Sequence, residues 1–194
     1  MDEGVCMKKE QIKRLVFVAL TGALVVLLAK TTRFPPFPQA AYLKLEFGEI
    51  PLLLLLMLGS VSMSMEALLL KELLSLFLFG TNFLALIADF VACGAFLLAY
   101  SCVWKKGGGI QRILLATAVG AAVRMLVAIP DNLIILPLQY GTPLVGVWAQ
   151  MVFILPFNAL KCLLDGACIL ALYPRLERPL ERYFTGMLPQ RPVR

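Results

Sequence analysis

Apolar residues run along this chain in long blocks divided by short polar or proline-rich punctuation. The blocks are Ile12 to Ala29, Gly48 to Gly59, a third through SVSMSM to Phe79, Phe83 to Trp104, Ile113 to about Leu136, and Val147 to Tyr173. Blocks this long and this apolar predict helices, and a helix of about 20 apolar residues spans a hydrocarbon core of about 30 Å. The second and third are expected to separate near Ser60 to Ser64, which leaves both short. Short or interrupted spans mark sites near the midplane in transporters. Pro51 suits the first turn of the second helix. Pro130 is expected to kink the fifth and Pro137 to end it. Pro156 lies inside the sixth and frees a backbone carbonyl one turn earlier. The fold expected is an all-α integral membrane protein, a six-transmembrane-helix bundle with a structured outer loop between helices 1 and 2.

That loop, RFPPFPQAAYLKLEFGEIP, opens on prolines that forbid continuous helix. From Tyr42 through Leu45 and Glu46 to Phe47 it alternates apolar and polar with the period of a strand, so an extended segment across the bundle mouth is expected. A loop of this length in a compact protein is a lid or a wall of a binding site. Residues 1–11 read as a cytoplasmic lead without a fold, 12–173 as the membrane domain, and 174–194 as a basic cytoplasmic tail. No internal repeat and no second domain are visible.

Composition changes the picture chiefly by exclusion. A hydrophobic share of 60% exceeds that of soluble domains. The net charge of +6 comes from bases placed by topology rather than gathered on a nucleic-acid-binding face. Lys8, Lys9, Lys13 and Arg14 precede the first block, Lys105, Lys106 and Arg112 lie between the fourth and fifth, and Arg175, Arg178, Arg182, Arg191 and Arg194 follow the last. The opposite side keeps Lys30, Arg33 and Lys44. By the positive-inside rule both termini are cytoplasmic. The absence of histidine removes histidine bases and ligands, and the five cysteines have no zinc or disulfide spacing. Cys93, Cys102, Cys162 and Cys168 read as small packing residues, and Trp104 as an interfacial anchor. WKKGGG lacks the G-x-x-x-x-G-K-[ST] spacing, so no nucleotide-hydrolysing motif is present.

The candidate chemistry lies in the last block, PFNALKCLLDGACILALY. A charge at the bilayer centre costs about 2.5 to 3.5 kcal/mol on insertion scales, so such groups face a cavity or a partner. Spacings of three and four set Asn158, Lys161 and Asp165 on one face. The structural reading is an internal Lys161–Asp165 ion pair. The functional reading joins Asn132, on the antiparallel fifth helix, to Asn158 and Lys161 at similar depth. Two amides and an ammonium match a ring edge with carbonyls and an N–H, as in a uracil-like ring. Lys71 and Glu72, being adjacent, are expected on different faces. Ala19 and Ala23, with Gly22 beside them, form a small-residue face where another helix can approach closely. Rival readings are an intramembrane lipid-processing enzyme using Asp89, Asp131 and Asp165, and a purely structural membrane subunit. The aspartates sit singly on three helices without a tight metal or nucleophile motif, so no catalytic or metal residue is assigned.

LKLEFGEIP from Leu43 to Pro51, ILPLQY after Asn132, and above all PFNALK followed by LALY resemble the riboflavin-specific substrate-binding (S) subunits of energy-coupling factor (ECF) vitamin importers. The resemblance runs from the first helix to about Tyr173. It implies a non-enzymatic subunit in a prokaryotic plasma membrane that holds riboflavin near the outer face and has no resident cofactor. Its partners would be a transmembrane coupling subunit and two cytoplasmic ATP-binding subunits. It implies that Asn132, Asn158 and Lys161 bond the pyrimidine edge, that the stretch with Tyr42, Leu45 and Glu46 lies near the ribityl chain, and that Ala19 and Ala23 meet the coupling subunit. The sequence departs from the family pattern at Glu46 and Glu49, where aspartates are usual, at Asp89, where asparagine is expected, and at SVSMSME, where a glycine-rich turn is expected. Asp165 adds a charge one turn beyond Lys161, so the same architecture holding another vitamin or a flavin precursor is the alternative.

Overall fold

The computed structural model describes residues 3–105 and 109–184. Lys106 and two glycines of WKKGGG, Met1 and Asp2, and the tail from residue 185 onward, with Arg191 and Arg194, lie outside the described residues. Within them the chain forms α1 (Glu3–Thr31), a single 3-10 turn (Pro38–Ala40), α2 (Glu49–Leu58), α3 (Val61–Phe79), α4 (Phe83–Val103), α5 (Gly109–Tyr140) and α6 (Leu144–Phe184).

Each boundary has a local cause. The division between α2 and α3 falls at Gly59 and Ser60, where the Ser60 hydroxyl accepts from the Met63 N–H and caps α3. Gly80 ends α3 in the left-handed region at φ 58°, and the Asn82 side chain caps α4 by accepting from the Leu84 N–H. Three boundaries differ from the sequence reading. Helix α1 begins at Glu3, within the expected lead; α5 continues past Pro137 to Tyr140; and α6 continues past Tyr173 to Phe184. A proline removes one hydrogen bond but does not stop a helix whose neighbouring bonds persist.

Among the described residues four segments are long and apolar enough to cross a membrane: Gln11–Thr31, Phe83–Val103, Gly109–Tyr140 and Leu144–Glu177. The protein is a multi-pass membrane protein. The apolar run of α3 is broken by Glu66, Lys71 and Glu72, and α2 has 10 residues, about 15 Å at 1.5 Å per residue. That short helix is the centre of the bundle, with Leu52, Leu53, Met57 and Leu58 buried. It packs on α3 and α6, α4 packs on α5, and α5 on α6, while α1 packs on α3. Ile12, Leu15, Val16, Leu20, Leu24 and Leu27 remain exposed along α1.

The α1–α2 loop lies at the end of the bundle that holds the C-terminus of α5 and the N-terminus of α6. It is not a strand. One antiparallel bridge joins Phe34 to Leu45, and its two N–H···O bonds measure 3.0 and 2.8 Å. The loop is strapped to α6 by the Tyr42 hydroxyl donating to Gln150 Oε1 at 2.7 Å and by Phe37 against Phe153. Burial and the neighbouring Tyr140 hold the Tyr42 phenol above its ordinary pKa, so it stays a donor. Trp104 is no interfacial anchor: it is buried edge-on against Tyr173, and its indole N–H reaches the Met57 carbonyl at 3.5 Å. Cys93 and Cys162 are buried as expected, while Cys102 is exposed.

Candidate functional site

Buried charge gathers at the loop end of the bundle. Glu49 opens α2, where unpaired backbone N–H groups favour an anion. Its Oε2 lies 2.5 Å from the Arg124 guanidinium of α5 and its Oε1 lies 2.6 Å from the Lys161 ammonium of α6. Lys161 also approaches Glu46 at 3.8 Å, and Glu46 meets Arg33 at 3.3 Å. Arg124 Nε donates to Asn158 Oδ1 at 2.8 Å, and Asn158 Nδ2 donates to the Ile154 carbonyl at 2.9 Å. One chain of contacts thus ties the loop to α2, α5 and α6. A second buried group joins α3 to α4, where Lys71 Nζ bonds Glu72 at 2.8 Å and pairs with Asp89. The long lysine stem brings these adjacent residues together, against the expectation of different faces.

These groups line a cavity of about 450 Å³, within the range of about 300 to 1,000 Å³ usual for small-molecule sites. Loop residues Tyr42, Leu43, Lys44 and Glu46 form one wall. Helices α5 and α6 supply Arg124, Asp131, Asn132, Phe157, Asn158 and Lys161, and α3 and α4 supply Lys71, Glu72 and Asp89. Apolar positions such as Ala85, Leu86, Ala92, Ala128 and Leu136 fill the surface between them. Charged and amide side chains make up much of the lining with apolar positions between them, an arrangement suited to holding a polar small molecule through several fixed hydrogen-bonding groups. Among the described residues no cluster of acidic, cysteine or histidine side chains could hold a metal.

The structure brings Asn132, Asn158, Lys161, Tyr42 and Glu46 to this one cavity. Leu45 is elsewhere: it is buried beneath the loop by its bridge to Phe34 and does not line the hollow. The Lys161–Asp165 pair does not form. Lys161 turns to Glu49, and both Asp165 carboxylate oxygens are buried without a hydrogen-bond partner among the described residues. Two carboxylates, Glu49 at 2.6 Å and Glu46 at 3.8 Å, answer the ammonium there. Ala19 and Ala23 are exposed on α1, whereas Gly22 is buried against Leu70.

Two organising residues, Glu49 and Arg124, were not assigned to the site from the sequence. Each carried the same signal as Lys161, a charge set in an apolar run. Glu49 was obscured because it stands at the junction of loop and helix, and Arg124 because its partners are far along the chain.

No family model matches the chain. The chain is 26% identical over 181 residues to the riboflavin transporter RibU of Streptococcus thermophilus, covering 85% of this chain and 83% of that protein. Its structure matches that of the S component of a bacterial ECF transporter with a TM-score of 0.69 and 28% identity, over 89% of this chain and 99% of the other. Both are named as transport components and neither as an enzyme. The resemblance read from PFNALK and LKLEFGEIP therefore extends over most of the chain.

Proposed function

We propose that this chain is the substrate-binding subunit of an ECF-type importer and that it captures riboflavin in the cavity beneath the α1–α2 loop. The observation that carries the reading is the joint placement of Asn132, Asn158 and Lys161 on a 450 Å³ hollow whose wall mixes charged and apolar side chains. The likeness to a riboflavin transporter supports the choice of vitamin. Riboflavin is cargo here, not a cofactor. The pyrimidine edge meets the amides and ammonium of α5 and α6, and Tyr42 and Glu46 lie on the loop wall beside it.

All six helices take part in the membrane, with α2 reaching only part way. The loop end faces outward. Residues 12–173 form the membrane domain, and the basic termini lie in the cytoplasm of a prokaryotic cell, as the placement of Lys and Arg directs. The exposed Ala19 and Ala23 face on α1 meets the transmembrane coupling subunit. Two ATP-binding subunits supply the energy. An enzymatic role for Asp89, Asp131 and Asp165 gains nothing from their positions, since Asp89 is held by Lys71 and Asp165 is off the cavity wall.

Calorimetry of detergent-purified protein against a small panel of vitamins tests the assignment. Riboflavin is expected to bind with flavin absorbance following the protein. A preparation that is colourless and fails to bind added riboflavin removes the flavin reading.

A further inference from the structure

Arg124 is 2% exposed, and it stands between Asn158, which lines the cavity, and the buried Glu49. Its Nε donates to Asn158 Oδ1 at 2.8 Å and its Nη1 to Glu49 at 2.5 Å. A guanidinium donates hydrogen bonds and accepts none. The Asn158 amide is therefore locked in one of its two orientations: a flip would turn its NH₂ group onto another donor that carries a full positive charge. The second contact agrees, because Asn158 Nδ2 donates to the Ile154 carbonyl, which only accepts. An amide has two N–H groups. One is spent on Ile154, and the other is left for the cavity that Asn158 lines.

The neighbouring groups have defined polarity too. Lys161, one turn along α6, is a donor with part of its capacity held by Glu49. Asn132 Nδ2 donates to the Ala128 carbonyl at 2.8 Å, leaving its Oδ1 as an acceptor. The α6 side of the wall thus presents two donors, and Asn132 on α5 presents an acceptor with its second N–H beside it.

We propose that Arg124 is a specificity-determining positioning residue. By pinning the Asn158 carbonyl it makes the cavity face of that amide a hydrogen-bond donor, so the site takes a ring edge bearing a carbonyl there and rejects one bearing an amino group. This rests on the riboflavin reading and specifies its polarity; Arg124 itself need not touch the ligand.

The test compares riboflavin with two analogues in which one or the other carbonyl of the pyrimidine edge is replaced by an amino group, titrated into full-length purified protein. Wild type is expected to discriminate against at least one analogue by about tenfold or more, as a site built around a buried hydrogen bond does. Arg124→Gln, which can donate or accept, removes the charged constraint on the amide and leaves only the Ile154 carbonyl to orient it, and is expected to narrow that ratio to about twofold. Arg124→Lys, still only a donor, is expected to keep it. Asn158→Asp supplies a check that leaves Arg124 intact: it retains the acceptor for the guanidinium but removes the N–H, and riboflavin binding is expected to fall by about tenfold or more. An unchanged ratio in Arg124→Gln, with only overall affinity or thermal stability lowered, overturns the inference, as does full riboflavin affinity in Asn158→Asp. If wild type binds no riboflavin, it is the functional assignment that fails.

Discussion

Glu49 holds two cations at once, Arg124 and Lys161, while itself buried. Removing one member of a buried ionic group leaves the others uncompensated, at a cost of about 3 to 5 kcal/mol. Glu49→Ala is therefore expected to lower the thermal midpoint in detergent well below that of wild type, and an unchanged midpoint would show that the two cations find other partners. Asp165 offers the contrast. Its carboxylate has no hydrogen-bond partner among the described residues, so Asp165→Asn removes a desolvated acid without breaking a contact. Its midpoint is expected to stay level or rise; a marked drop would reveal a Lys161–Asp165 attraction that the geometry does not show. Asn158→Ala and Lys161→Ala each remove a polar group of the cavity wall. Each is expected to weaken riboflavin binding by about 1 to 3 kcal/mol, roughly 5- to 150-fold. Calorimetry giving wild-type affinity in both variants would take the ligand away from this wall.

At the scale of elements, the cavity exists because α5 and α6 converge at one end and touch closely lower down. At Gly166 a Cβ atom would stand 2.5 Å from Thr117 Cγ2. Thr117 cannot swing aside freely, since it is β-branched and its hydroxyl bonds the Ile113 carbonyl at 2.8 Å. Gly166→Val is expected to force the helices apart at a cost of about 1 to 3 kcal/mol, read as a lower thermal midpoint. A stable, normally binding Gly166→Val protein would mean that the contact tolerates separation. The helices themselves were legible from their apolar blocks, including the break between α2 and α3 at Ser60. The ends of α5 and α6 were not, because whether a helix survives a proline depends on neighbours that supply or bury the freed groups, and Pro137 and Pro174 look alike in sequence. The same holds for Trp104, whose aromatic ring suits either a membrane interface or the Tyr173 edge it meets.

In the whole molecule the cavity proposed for ligand capture and the α1 face proposed for subunit docking lie on different surfaces. The cavity opens under the α1–α2 loop, while the exposed stretch of α1 with Ala19 and Ala23 lies along the outside of the bundle. Replacing Ala19 or Ala23 with leucine is expected to leave riboflavin affinity unchanged and to impair co-purification with the coupling subunit. The reverse outcome, lost binding with intact assembly, exchanges the two roles. The loop also joins parts of the bundle distant in sequence, since Tyr42 reaches Gln150 and Glu46 reaches Lys161.

The amino-acid sequence by itself determined that this chain lives in a membrane as helices, where the apolar blocks break, and that Asn158 and Lys161 share a face of the last of them. Those are matters of composition and helical spacing, which are local. Only the tertiary structure decided which charge answers which. Lys161 has Asp165 one turn away yet selects Glu49, 112 positions earlier in the chain, because Glu49 and Glu46 both approach its ammonium from the loop and the start of α2. Ion pairing follows distance and dielectric in space, and neither is written in the spacing along a single helix.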